Sequence, residues 1–142
     1  MLENFATRTI VPLLLRFALA VVFIYHGFDK VGSGNGFGFD WAAKMADPPA
    51  RPLQAMVAWG ELMGGIAIAL GVLTRLAALG IIAIMLGAIF TVHGKAGFSG
   101  LQGGYEYNFV LIMVAASLVL TGAGTLSLDR VIHLKMRGAA KY

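Results

Sequence analysis

The sequence predicts an all-α integral membrane protein, a bundle of four transmembrane helices with the N- and C-termini cytoplasmic. Three observations predict it. Hydrophobic residues make up 58% of the chain and charged residues 13%, where a soluble domain carries roughly a quarter charged residues. The apolar residues gather in four runs of about the length that crosses a 30 Å hydrocarbon core. The basic residues divide unequally between the two sides that those runs define. At 142 residues the chain is read as a single transmembrane domain, 1–142, because about 150 residues per domain is the usual scale.

The first run covers about 9–27 and is broken only by Arg16, and the second, about 53–73, is broken only by Glu61. The third, about 76–92, and the shorter fourth, about 107–123, carry no charge. Continuous apolar runs lack the period-2 alternation of barrel strands, and helices satisfy their own backbone in lipid. Ala18-Leu19-Ala20 has the look of a signal-peptide cleavage site. Arg16 within the apolar stretch and the unbroken continuation through Val21 to Tyr25 favour retention as the first helix.

Four spans put both termini on one side. Arg8, Arg16, Arg75, Arg130, Lys135, Arg137 and Lys141 fall on that side, while Lys30, Lys44, Arg51 and Lys95 fall on the other, so the terminal side is cytoplasmic and 124–142 forms a basic cytoplasmic tail. The outer side holds a long loop, 28–52, rich in glycine and carrying Phe37, Phe39 and Trp41. Solvated linkers rarely carry such aromatics, so the loop is expected to lie back on the bundle mouth or membrane surface. Thr74-Arg75 is too short a connection for anything but antiparallel neighbours. Gly60, Gly64, Ala67 and Gly71 on the second helix, and Gly80, Ala83, Gly87 and Thr91 on the third, fall on single faces. Both stripes are expected to allow close helix packing.

Arg16 and Glu61 are the two charges within the apolar runs. Counted from the outer surface they lie about 16 and 12 Å deep at 1.5 Å per residue, and a charge in hydrocarbon needs a partner. They are therefore expected to form an ion pair between the first two helices, lining a cleft open to the outer face. A second group is expected at the outer mouth: Tyr25, His26, Asp29 and Lys30, then His93, then Tyr105, Glu106 and Asn108. Helix-dipole complementarity and an aromatic belt give a structural account of these residues. The functional account makes Arg16, Tyr25, His26, Lys30, Glu61, His93 and Glu106 ligand-binding residues, with no catalytic residue identified. Phe23-Ile24-Tyr25-His26-Gly27 and Phe90-Thr91-Val92-His93-Gly94 share an F-x-x-H-G pattern, which predicts that His26 and His93 approach each other. Two such histidines can ligate haem b, or a metal with Asp29 and Glu106, as a minor alternative to no metal at all.

The absence of cysteine excludes disulfides, thiolate metal sites and covalently attached c-type haem. The net charge of +4 is not arranged as a basic stripe interleaved with aromatics, so no nucleic acid is implied as partner. Leu13-Leu14-Leu15-Arg16, Tyr25-His26-Gly27 with Lys30-Val31, Gly60-Glu61-Leu62 with Gly64-Gly65, and Leu70-Gly71 with Thr74-Arg75 together resemble the DoxX family. The resemblance spans most of the first three helices and includes His93. It implies a multi-pass protein of the bacterial cytoplasmic (inner) membrane linked to redox physiology, since relatives include the membrane subunit of a thiosulfate:quinone oxidoreductase and partners of redox-protective enzymes. It supplies no agreed catalytic residues.

Three functions then compete. One is a quinone-interacting subunit for redox or electron transfer. Another is a non-catalytic structural or assembly subunit with protein partners in a larger membrane complex. The third is a small proton-coupled transporter, for which four helices suffice only as a homo-oligomer.

Overall fold

A computed structural model describes residues 2–34, 36–45 and 47–139. Lys141, one of the basic residues counted above, lies outside them. The first long helix, α1 (Val11–Gly32), is preceded by a helical turn at Leu2–Phe5 and a π-helical turn at Ala6–Ile10. Then come α2 (Arg51–Leu70), α3 (Thr74–Ala88), α4 (Glu106–Thr121) and α5 (Leu128–Ala139). A π-helical turn, Ile89–His93, and a 3₁₀ turn, Gly94–Ala96, prolong α3. No strand occurs among the described residues.

Three helical stretches are long and apolar enough to cross a membrane: Glu3–Gly32, Arg51–Leu70 and Thr74–Ala96. α4 is apolar but has 16 residues. The surface agrees with a lipid solvent, because Leu14, Phe17, Leu76, Phe90 and Leu120 all stand exposed on these helices. The chain is a membrane protein.

α1 packs against α2 and α4, and α3 packs against the same two, so α1 and α3 occupy diagonal corners. The core between them contains Leu19, Phe23, Ile68, Ile81, Met85, Leu111 and Leu118. The closest helix approach is made at Gly27 and Gly65. A Cβ on Gly65 would lie 2.8 Å from Ile24 N, and one on Gly27 would lie 2.6 Å from Leu62 Cα. Gly60 and Gly64 meet Ile84 and Ile81 of α3, as the stripe on α2 predicts. The stripe on α3 behaves otherwise. Gly80 and Gly87 have nothing within 4 Å, and the whole stripe faces outward. Isoleucine side chains of α3 fill the grooves of α2, leaving the small residues on the opposite side of the helix.

The helix ends also differ from the sequence expectation. α1 runs past Asp29 and Lys30 to Gly32, since a lysine in the last turn complements the helix dipole rather than breaking the helix. α2 stops at Leu70 because Gly71 takes a left-handed conformation with φ +69°. Near the chain start, Pro12 has no N–H to give to Arg8 O. Thr125 N fills that place at 3.1 Å, tying the segment after α4 to the start of α1.

Candidate functional site

The two intramembrane charges do not meet. Gly27 lies against Leu62 and Ile24 against Gly65, a register that puts Glu61 level with Phe28 and Arg16 level with Leu73. That is a separation of about 18 Å along the bundle axis at 1.5 Å per residue. The expected Arg16–Glu61 pair is therefore corrected. It assumed that α1 and α2 cross the outer surface at Gly27 and Leu53, whereas α2 projects beyond α1 on that side.

Arg16, 3% exposed, is instead bonded to backbone. Its Nε donates to Ile68 O at 2.8 Å and its Nη2 to Ala69 O at 2.6 Å. Its Nη1 donates to Ala123 O at 3.1 Å and Leu126 O at 2.5 Å. Ile68 and Ala69 lie in the last turn of α2, where carbonyls lack the regular i+4 donors and carry the negative end of the dipole; Ile68 O also accepts Gly71 N at 3.1 Å. The guanidinium fork thus closes α2 and clasps it to the segment after α4. Asp129 works beside it, accepting Leu73 N at 2.8 Å and Thr74 N at 3.1 Å, so that a residue from α5 caps α3.

Glu61, 2% exposed, pairs with Lys30, whose Nζ lies 2.5 Å from Oε2. Lys30 Nζ also stands 5.1 Å from the centre of the Trp41 ring, a cation–π arrangement. The loop is stitched to α2 around this pair. Trp41 Nε1 donates to Gln54 O at 2.8 Å, Ala42 N donates to Gln54 Oε1 at 2.9 Å, and Gln54 Nε2 donates to Pro49 O at 2.7 Å. Trp59 Nε1 reaches Phe37 O at 3.1 Å. The loop lies back on the bundle as its aromatics predict. Beside it a cleft of about 560 Å³ is lined by Ser33, Asp40, Trp41, Lys44 and Arg51, of which Arg51 and Asp40 form an ion pair at 3.0 Å.

The other candidates are dispersed. Tyr25 and His26 touch edge to face at 5.4 Å between ring centres on the exposed side of α1. His93 Nδ1 lies 2.8 Å from Gly103 O on the diagonal corner, so the predicted approach of the two histidines is corrected: each has its own partner. Glu106 Oε2 accepts Gly100 N at 2.9 Å and organises the turn before α4. Among the described residues, no three His, Asp or Glu side chains gather closely enough to hold a metal. Asn108 is buried, with its Nδ2 directed at Met85 Sδ, 3.5 Å away.

One face of α1 carries an open groove of about 750 Å³ running from Phe17 and Ala69 up past Val21 and Ile24 to Tyr25 and Asp29. Its walls are apolar along most of its length and its polar groups collect toward the C-terminal end of α1. Asp29 is expected at the mouth from its sequence position; the groove is not. Its signal is the i, i+3, i+4 recurrence of Phe17, Ala20, Val21, Ile24 and Phe28, in which small and large side chains alternate.

Comparison with known proteins returns the DoxX family model over residues 11–94. The chain is 30% identical over 128 residues to an uncharacterized protein of Haemophilus influenzae, covering 84% of this chain and 82% of the relative. It is 31% identical over 118 residues to a Bacillus subtilis protein named "Putative oxidoreductase CatD", covering 82% of this chain and 83% of that one. No solved structure matches.

Proposed function

The chain belongs to the DoxX family, and on that premise we propose that it is a redox-associated subunit of the bacterial cytoplasmic membrane that binds a quinone in the α1 groove. The groove itself carries the reading: an apolar channel open to lipid, with a phenol and a carboxylate at one end. Those residues fit a quinone's chemistry. Phe17, Val21, Ile24 and Phe28 would hold an isoprenoid tail, the Tyr25 hydroxyl would donate to a ring carbonyl, and Asp29 would accept from a reduced ring hydroxyl. A bound quinone supplies two-electron, two-proton exchange. The name of the Bacillus subtilis relative, an oxidoreductase, supports the same direction. In this reading the Lys30–Glu61 pair and Trp41 fix the top of α1 and the loop beside the groove, and Arg16 keeps the opposite end closed.

The reading includes four spans with both termini cytoplasmic, α4 crossing as the shortest. A C-terminal reporter active only inside the cell supports that topology, and one active only when exported overturns it.

Protein extracted from its native membrane in mild detergent is expected to carry quinone, measurable by solvent extraction and chromatography. Val21→Trp, which fills the groove from an exposed position, should remove it without loss of folded protein. Native protein free of quinone but bound to a stoichiometric protein partner would favour the assembly-subunit reading instead. One observation supports that alternative: the outward stripe of Gly80, Ala83, Gly87 and Thr91 suits close contact with a further helix, from a partner or a second copy.

A further inference from the structure

α5 (Leu128–Ala139) is polar overall and too short to cross a bilayer, yet it is strongly amphipathic. Leu128, Val131, Ile132 and Met136 share one face at helical spacing. They are 44%, 49%, 50% and 66% exposed, and α5 makes no extensive packing contact with the bundle among the described residues. Arg130 and His133 stand exposed on the other side, together with Leu134, and Lys135 is exposed within the apolar arc. The one acidic residue, Asp129, is withdrawn from that surface, because its carboxylate is engaged by Leu73 N and Thr74 N. Asp129 N also donates to Gly71 O at 2.9 Å, and Ser127 Oγ to Gly124 O at 2.8 Å.

These bonds fix where α5 begins. Its first turn is fastened to the end of α2 and the start of α3, where the apolar spans stop and a bilayer's hydrocarbon would give way to headgroups. A helix starting at that boundary, with an exposed apolar face and a basic one, matches an interfacial helix in composition and position. We propose that α5 docks on the membrane surface as an anionic-phospholipid-binding helix, its apolar face among the upper acyl chains and Arg130 and Lys135 among the phosphates. By helical spacing Lys135 falls within the apolar face, between Leu128 and Val131, and its long stem suits it to reach back to the headgroups. The cap at Asp129 then makes α5 a strut that couples the headgroup layer directly to the N-terminus of α3. The inference is independent of any ligand in the α1 groove.

The chain has no cysteine, so single cysteines report cleanly. Ile132→Cys, Met136→Cys and His133→Cys would each be labelled with an environment-sensitive fluorophore, and the full-length protein placed in nanodiscs of phosphatidylcholine alone or mixed with phosphatidylglycerol. In the anionic discs, labels at 132 and 136 should be quenched by lipid-borne nitroxides and the label at 133 by aqueous iodide. Arg130→Gln and Lys135→Gln, both on exposed surface, should each lower the docked fraction relative to the undocked by about fivefold, the effect of one basic residue at an anionic surface. High salt should do the same. Equal aqueous quenching at all three positions in every lipid would overturn the proposal. So would protection at 132 and 136 that persists in detergent or accompanies cross-linking between copies, which would assign the face to protein contact.

Discussion

Glu61 is neutralised by Lys30 from the C-terminal end of α1, with 2.5 Å between Nζ and Oε2, and not by the arginine that shares the membrane with it. The carboxylate is buried while the lysine side chain keeps 21% of its exposure. The pair therefore sits at the border between the bundle and the loop that covers it.

Glu61→Gln and Lys30→Met should each destabilise the protein, and the double substitution should cost less than the two single costs added. A coupling of about 1–3 kcal/mol is expected for residues in direct contact. Thermal unfolding of the four proteins in one detergent measures it. Strict additivity would show that the contact contributes nothing.

Arg16 behaves differently, because its partners are main-chain carbonyls that no side-chain substitution removes. Arg16→Met should cost about 3–5 kcal/mol, the usual cost of removing one side of a buried charged network. Arg16→Lys should recover only part of that, since an ammonium cannot reproduce the fork. Combining Arg16→Met with Glu61→Gln should give additive losses. A recovery of folded yield in that double variant would restore the direct pair that the register excludes.

The glycines separate into two classes. Gly65→Ala drives a Cβ into the backbone of α1 at Ile24 and should lower the unfolding temperature markedly. Gly80→Ala meets open space on a regular helical turn and should be neutral or stabilise by up to about 1 kcal/mol. Similar losses at both positions would mean that the α3 stripe is covered by another helix, which also bears on the assembly reading.

Which of these features the sequence makes legible follows from what each one depends on. Apolar runs and the lone charges within them are local, so the long helices and the special status of Arg16 and Glu61 can be read directly. Pairing depends on register, and register was set by Gly27 and Gly65 rather than by the helix ends. Asn108 and Glu106 look alike as polar residues at the start of α4, yet one turns into the core and the other stays at the surface. The cap that Asp129 provides to α3 links residues 56 positions apart in the chain, and no local pattern announces it. The histidine echo failed for a similar reason. Equal helix position does not bring residues together when their helices take diagonal corners.

The most direct test of the account is photo-cross-linking with an azido-quinone in native membranes, followed by peptide mapping. Labelling centred on the α1 face of Phe17, Val21, Tyr25 and Phe28, competed by excess unmodified quinone and lost in Val21→Trp, is the predicted result. Labelling spread over the lipid-exposed faces of all the helices, uncompeted and unchanged in that variant, would contradict a quinone site in the groove.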